Sequence, residues 1–154
     1  MSSKKQVLFL CTGNSARSQM AEAILRHEAG DRFEVFSAGL EPKGINPYTI
    51  QVMNEIGIDT SNQWSKSIKE YMGRLFFHYV ITVCAHADER CPSALWAHGG
   101  VKLHWNFDDP AAVIGTDVEM LAAFRHARDL IREQIQLWLE ELDKQALLKE
   151  QNGY

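Results

Sequence analysis

The sequence predicts an α/β fold, a single domain over residues 1–154 with a four-stranded, mainly parallel sheet and helices on both faces. Two observations support this prediction. Short apolar segments alternate with segments of helical periodicity, the order expected of parallel strands joined by helices. Glycine, proline and capping residues separate these segments, at points where elements must begin and end. We expect the core to span residues 5–142, and residues 143–154 to be a C-terminal tail that continues as a fraying helix end.

Four short runs rich in valine, isoleucine, leucine and phenylalanine predict the strands. The run YVITVC is the most β-branched and should be fully buried, whereas FEVFS alternates and ends before Gly39. In parallel sheets, ligands bind beyond the carboxyl ends of the strands, so the residues that follow each strand are expected to share one rim. The predicted strands are residues 5–10, 33–37, 79–84 and 101–105.

Helix boundaries are predicted from caps and i,i+4 apolar pairs. Asn46 followed by Pro47 is typical of a cap and a first-turn proline, and Thr116 with Glu119 matches a capping box. The expected helices run from residue 18 to Gly30, from residue 46 to Gly57, over residues 68–75 and from residue 116 to about residue 142.

Composition and charge exclude several classes of protein. With 45% hydrophobic and 23% charged residues, the chain is expected to be globular, and its net charge of −4 without a basic cluster argues against nucleic-acid binding. The apolar run VLFL is too short for a secretory signal, and no segment has the roughly 20 apolar residues of a membrane span. We therefore expect a cytoplasmic monomer without a membrane partner. Three cysteines in that compartment do not indicate a permanent disulfide framework.

The stretch CTGNSAR, from Cys11 to Arg17, stands between the first predicted strand and the first helix. Such a loop presents unpaired backbone N–H groups and the positive end of the helix dipole, and can wrap a tetrahedral oxyanion. Gly13 gives backbone freedom, Asn14 tolerates positive φ, and Arg17 supplies a planar fork for two oxygens. The predicted substrate-binding residues are Thr12, Gly13, Asn14, Ser15, Ala16, Arg17 and Ser18.

The same loop is expected to make Cys11 a nucleophile. A helix N-terminus and a neighbouring arginine favour the thiolate form of a cysteine, and the hydroxyl of Ser18 could hold that thiolate. An ionised sulfur pointing at the centre of a bound oxyanion predicts covalent catalysis.

These residues carry a resemblance to a known family. VLFLCTGNSARSQMAEAIL resembles the anion loop of the low-molecular-weight protein tyrosine phosphatase superfamily, in which a cysteine is followed by five residues, an arginine and a serine. CTGNS-x-RSQMAE is most similar to the thioredoxin-coupled arsenate reductases, and SAG at residues 37–39 and YVITVC add to the similarity. The resemblance covers residues 5–142 and implies an arsenate reductase with no bound cofactor that takes its electrons from thioredoxin.

Two more cysteines, Cys84 and Cys91, stand seven positions apart in VCAHADERCPS. The spacing fits no zinc signature, and the lone His86 and His98 do not complete one, so no metal site is predicted. A disulfide needs Cα atoms within about 7 Å, which a loop or short helix folding back between the two residues can provide. The polar segment AHADER is expected to have modest order and to rearrange easily.

The resemblance implies a relay among the three cysteines. Cys11 attacks arsenate, Cys84 attacks Cys11 and releases arsenite, and Cys91 attacks Cys84. The final Cys84–Cys91 disulfide is then reduced by thioredoxin. Thiolate fraction and accessibility set the rate of each displacement at sulfur.

The resemblance also assigns an acid. Expelling an oxide requires a proton, and Asp109, which precedes Pro110 in HWNFDDPA, matches the family's Asp-Pro acid. Asp108 is the alternative acid. From the residues alone, the interpretation that Asp109 and Pro110 only cap a turn remains open.

The sequence departs from the family pattern at two places. Ala16 stands where related reductases often have a cysteine that the relay does not use. Some relatives hold potassium beside the loop; Asn14, Glu22 and Ser37 match three of its contributors, but Lys66 replaces an aspartate. A lysine ammonium could replace the cation, so we expect weak potassium dependence or none.

Three other functions remain open at this point. A protein tyrosine phosphatase shares the loop and acid, but Gln19 replaces its usual proline and Ala111 its aromatic residue. A non-enzymatic oxyanion or redox sensor would bind and oxidise without turnover. A reductase that uses a low-molecular-weight thiol would not need Cys91.

Overall fold

The computed structural model describes residues 4–153, so both ends of the predicted domain, residues 1–3 and 154, lie outside the described residues. Its sheet has four strands, all parallel, in the order β2-β1-β3-β4. This confirms the predicted α/β class and the parallel sheet. The strands are β1 (Lys5–Cys11), β2 (Phe33–Gly39), β3 (Tyr79–Thr82) and β4 (Val101–His104).

In the described part of the chain, four α-helices and three short 3₁₀ turns connect and follow the strands. The helices are α1 (Arg17–Ala29), α2 (Pro47–Glu55), α3 (Ala85–Glu89) and α4 (Asp117–Gln151), and the 3₁₀ turns cover Ile68–Glu70, Ser93–Leu95 and Pro110–Ala112. The Asn46 cap and the Thr116–Glu119 capping box both form as predicted. None of the helices in residues 4–153 is both long and apolar enough to traverse a bilayer.

Two helix predictions need correction. The helix expected over residues 68–75 is a single 3₁₀ turn, Ile68–Glu70, and the chain then turns through Gly73 at a φ of 76°. The tail expected to fray from residue 143 is instead the last part of α4, which is helical to Gln151. Its alanine, leucine, lysine, glutamate and glutamine residues all have high helix propensity, and Asp143 forms an ion pair with Arg32 at 3.2 Å.

The centre of the core is β1. Its residues 7–11 are consecutively buried, which means that both faces of the sheet are covered. Helix α1 packs on β1, β2 and α4, while α3 packs on β1 and β3. The longest helix completes this core with Phe124, Ile131 and Ile135, all fully buried.

The sheet register brings the predicted site residues to one rim. Cys11, the last residue of β1, pairs with Gly39 of β2, and Leu10 pairs with Thr82, the last residue of β3. Thr82 in turn pairs with His104, the last residue of β4. The residues that follow these strands therefore meet at their carboxyl ends, as the parallel order predicts.

Candidate active site

The loop from Cys11 to Arg17 encloses the bottom of a cleft of about 320 Å³. The carbonyls of Cys11, Thr12 and Gly13 accept hydrogen bonds from the backbone of residues 40, 41 and 43, at 2.8 to 3.2 Å. Since carbonyl and N–H groups lie on opposite edges of a peptide unit, this pairing turns N–H groups towards the cleft. The lining residues are Cys11, Thr12, Gly13, Ser15, Ala16, Arg17, Glu41, Lys43, Asp109 and Ala111.

The Cys11 sulfur is buried and lies within reach of two donors. The Asn14 backbone N–H donates to it at 3.2 Å, and the Ser18 hydroxyl lies 2.7 Å from it. Both groups can stabilise a negative charge on the sulfur. Ser18 therefore stands where the sequence placed it, beside the nucleophile.

Asn14 holds the loop in this shape. It has a φ of 46°, the one positive φ among the described non-glycine residues, in the region that asparagine tolerates. Its amide N–H₂ donates to the hydroxyls of Ser18 at 2.8 Å and Ser37 at 3.0 Å. Its amide oxygen accepts from Gln19 Nε2 and from the Lys66 backbone N–H, both at 2.9 Å. The Asn14 side chain thus stabilises the loop through its hydrogen bonds, and it is buried away from the substrate cleft.

Arg17 and Asp109 face each other across the cleft. Arg17 Nη1 donates to the carbonyl of Phe107 at 2.9 Å, and its Nη2 lies 3.8 Å from Asp109 Oδ2. The Asp109 side chain is 40% exposed, and its other oxygen accepts from the Ala111 backbone N–H at 3.0 Å. Asp109 therefore caps a turn and also lines the cleft, whereas the fallback acid Asp108 does not line it.

Cys84 lies beside the loop at the start of α3. Strand β3 ends two residues earlier than predicted, because Cys84 is the N-cap of this helix and accepts from the Ala87 N–H at 3.4 Å. Its sulfur is 3.5 Å from the Thr12 hydroxyl, so Thr12 connects Cys84 to the anion loop. The structure thus brings Cys84 to the edge of the site that contains Cys11.

Cys91 lies after the other end of α3 and is half-buried. Burial raises the pKa of its thiol. All three cysteines are free thiols. Forming a Cys84–Cys91 bond from this arrangement requires α3 to rearrange, because the helix separates the two residues.

Helix α3 is more firmly anchored than the sequence predicted. Asp88 accepts from the Thr82 hydroxyl at 3.0 Å, forms an ion pair with Lys102, and lies 3.7 Å from His104 Nδ1. The hydrogen bond from Lys102 lowers the pKa of Asp88. These contacts, which the sequence did not predict, tie α3 to β3 and β4.

Lys66 is buried beneath the loop. Its ammonium donates to the Trp64 carbonyl at 2.9 Å and lies 3.3 Å from the Ser37 hydroxyl and 3.4 Å from Glu22 Oε1. Burial lowers the pKa of Lys66, and the charge of Glu22 opposes that effect. The Lys66 ammonium thus lies beside the hydrogen bond that the Ser37 hydroxyl donates to Glu22. In residues 4–153 no three His, Cys, Asp or Glu side chains are grouped to hold a metal ion.

The comparisons with known proteins assign the family. Residues 6–148 match low molecular weight phosphotyrosine protein phosphatase. The chain belongs to this phosphatase family. An arsenate reductase of Halalkalibacterium halodurans is 44% identical over 137 residues, which are 89% of this chain and 96% of the relative.

Two solved structures have folds similar to that of this chain. An arsenate reductase in the phosphate-binding state is 29% identical with a TM-score of 0.73, covering 89% of this chain and 98% of that chain. A thioredoxin-dependent arsenate reductase of Corynebacterium glutamicum is 31% identical with a TM-score of 0.61, covering 88% of this chain and 64% of that chain. These matches confirm the resemblance inferred from CTGNS-x-RSQMAE.

Sequence reasoning missed two residues that line the cleft of this family member. Glu41 and Lys43 follow β2 and reach over the loop; a Cβ at Gly13 would lie 2.7 Å from Lys43 Cε, so the lysine stem covers Gly13. Their position in the sequence, directly after the second predicted strand, could have identified them, because the residues that follow parallel strands share one rim of the sheet. Lys43 adds a flexible cation near an anion site that Arg17 already serves.

Proposed function

We propose that this protein is an arsenate reductase that works by a three-cysteine relay and is regenerated by thioredoxin. One observation carries the proposal: a cysteine in an oxyanion loop lies near a second cysteine, Cys84, whose sulfur contacts the same loop through Thr12. A phosphatase needs only the first cysteine. A third cysteine at the far end of the intervening helix gives the oxidised pair a way to leave the site.

Arsenate binds in the cleft against the loop N–H groups and the Arg17 guanidinium. Arg17 must turn from Asp109 to grip two arsenate oxygens, which the 3.8 Å separation of their side chains permits. The Cys11 thiolate attacks arsenic, and one oxygen leaves as water after taking a proton from Asp109. The hydroxyl of Ser18 and the backbone of Asn14 hold the sulfur in place before the attack.

Reduction follows at the next step. The Cys84 thiolate attacks the Cys11 sulfur, an S–S bond forms and the electron pair of the sulfur–arsenic bond stays on arsenic, which leaves as arsenite. Arsenic gains two electrons and the two sulfurs lose two, so the step balances. Cys91 then attacks Cys84, releases Cys11 as a thiolate and leaves a Cys84–Cys91 disulfide.

The reductant proposed here is thioredoxin. Its use is stated for the Corynebacterium glutamicum relative, and Cys91 gives the chain the partner that makes a dithiol exchange possible. Breaking the Asp88–Lys102 pair would release α3 from β4 and bring the disulfide to the surface, where a protein reductant can reach it. A low-molecular-weight thiol would act on the Cys11 adduct and leave Cys91 without a role.

A phosphatase remains the second candidate, because the family contains such enzymes and the loop and acid serve both reactions. The rim next to Asp109 carries Ala111, a small side chain that offers no aromatic surface for a phosphotyrosine ring. We expect only a weak side activity on aryl phosphates.

The test measures arsenate-dependent NADPH consumption with thioredoxin and thioredoxin reductase. Wild type should turn over, whereas Cys84→Ser and Cys91→Ser should each lose turnover. An aryl phosphatase assay on the same variants gives the matched control, since neither cysteine takes part in phosphate ester hydrolysis. Phosphatase activity unaffected by both substitutions, together with no arsenate turnover in wild type, would show a phosphatase instead.

A further inference from the structure

A second basic side chain lies at the mouth of the cleft. Lys43 lines the cleft together with Arg17, and Lys43 is exposed. Its backbone N–H donates to the Gly13 carbonyl at 3.0 Å, so the residue is tied to the anion loop. This hydrogen bond keeps the lysine beside the site while its side chain remains free to move.

The side-chain stem of Lys43 runs across the anion loop. A Cβ atom at Gly13 would lie 2.7 Å from Lys43 Cε and 3.1 Å from its Cδ and Cγ, which is closer than carbon atoms normally pack. The stem therefore occupies the space that a larger residue at position 13 would fill. Since Nζ is bonded to Cε, the ammonium group lies beside the loop.

The two basic groups of the cleft differ in their partners. Arg17 Nη1 donates to the Phe107 carbonyl and Nη2 lies 3.8 Å from Asp109 Oδ2, so the guanidinium already has partners on the cleft wall. Its side chain is only 14% exposed. No ion pair within residues 4–153 includes Lys43. The Lys43 ammonium is thus available to an anion before the Arg17 guanidinium is.

The charges around the cleft show why a second cation matters. The charged residues that line it are Arg17, Lys43, Glu41 and Asp109, two cations and two carboxylates. Glu41 is exposed at the mouth, where its charge repels an approaching anion. Lys43 offsets this repulsion, and without it the cleft would present two carboxylates and a single guanidinium.

We propose that Lys43 is a substrate-binding residue that captures the oxyanion at the mouth of the cleft, before Arg17 turns from Asp109 to grip it. The part of this assignment that concerns arsenate rests on the proposed function. The ammonium group attracts and holds the anion through its charge and its hydrogen bonds. It takes no part in the bond changes at sulfur or arsenic, so loss of its charge should weaken binding and leave kcat unchanged.

The first experiment needs no arsenate. In the chain carrying Cys84→Ser and Cys91→Ser, Cys11 is alkylated by iodoacetate, which is an anion, and by iodoacetamide, which is neutral. Lys43→Met keeps an apolar stem without the charge, and it should lower the ratio of the iodoacetate rate to the iodoacetamide rate about fivefold. Because both reagents react with the same thiolate, the ratio is insensitive to the ionised fraction of Cys11. An unchanged ratio overturns the proposal, whatever reaction the protein catalyses.

Two control variants separate a local charge from the net charge. Lys43→Arg retains the cation and should keep the wild-type ratio. Lys149→Met removes the same charge from a groove that Lys149 shares with Lys5 and Phe33, the first residues of β1 and β2, at the opposite end of the sheet. This variant should also keep the wild-type ratio. A ratio that falls equally in Lys149→Met and Lys43→Met would reject capture by Lys43.

A variant of Glu41 reverses the sign of the change. Glu41→Gln removes a negative charge from the same mouth, so it should raise the ratio of the iodoacetate rate to the iodoacetamide rate. A ratio that does not rise would show that charge at the mouth does not govern the entry of anions, and would count against the proposal.

The second experiment measures arsenate turnover with thioredoxin, thioredoxin reductase and NADPH. Lys43→Met should raise the KM for arsenate about fivefold and change kcat by no more than about twofold, and Lys43→Arg should restore KM. A fall in kcat with an unchanged KM would contradict a role in capture. If wild type does not turn over arsenate, the proposed function fails, and the alkylation ratio still decides whether Lys43 binds the anion.

Discussion

Replacing Ser18 by alanine removes the side-chain hydroxyl nearest to the nucleophile. The Ser18 oxygen is 2.7 Å from the Cys11 sulfur, and both groups are buried. A hydrogen bond to a charged group contributes about 1.5–3 kcal/mol, and each 1.4 kcal/mol is about tenfold in rate. We therefore expect Ser18→Ala to lower kcat/KM for arsenate by about 10-fold to 150-fold. The backbone donor of Asn14 to the sulfur remains.

Two assays are used. Thioredoxin-coupled NADPH consumption is measured in the chain that retains all three cysteines, and the rate of Cys11 alkylation at pH 7 is measured in a chain carrying Cys84→Ser and Cys91→Ser. Ser18→Ala should lower both. Ser65→Ala is the matched control, because that hydroxyl bonds the Gly13 carbonyl at 3.3 Å on the outer side of the same loop. The control should change either rate by no more than about twofold. Wild-type rates for Ser18→Ala would refute the role assigned to this hydroxyl.

Three further predictions concern the acid, the buried lysine and helix packing. Asp109→Asn should reduce kcat for arsenate by about 10²–10⁴-fold with little change in arsenate binding by calorimetry, and an unchanged kcat would remove Asp109 as the acid. Potassium should barely activate wild type but should activate Lys66→Asp; equal activation of both would contradict a lysine replacing the cation. Hydrogen bonds from Arg125 and then Arg128 lower the pKa of Glu55 from 4.5 to about 2. The resulting stability should be complete above pH 4.5 and lost as pH falls towards 2. Glu55→Gln should weaken the dependence of the melting temperature on pH below 4.5. An equal dependence in wild type and variant would disprove the contribution of Glu55 to stability.

Local patterns of the sequence were enough to predict the sheet and most helices. The four predicted runs became the four strands; β1 is continuously buried over residues 7–11, as expected of a central parallel strand, whereas the edge strand β4 is exposed or half-buried throughout. The Thr116–Glu119 capping box set the start of α4. The end of α4 was misjudged, since helix propensity and an Arg32–Asp143 ion pair extend it beyond the last core contact.

The part of the site that could be predicted from the sequence is the part that the CTGNSAR motif and the strand order determine. CTGNSAR fixed the loop, and the order of strands brought Cys84 and Asp109 to the same rim. Contacts between distant segments had no sequence signal. The Asp88–Lys102 pair that anchors α3 joins residues on different elements.

The most direct test of the relay is to map disulfides after a single turnover. Reduced protein receives one equivalent of arsenate, is quenched with acid, alkylated, digested and analysed by mass spectrometry. The account predicts a Cys84–Cys91 disulfide in wild type and a Cys11–Cys84 disulfide in the Cys91→Ser chain. Arsenite produced without either disulfide, or a Cys84–Cys91 disulfide formed equally well in Cys11→Ser, would contradict it.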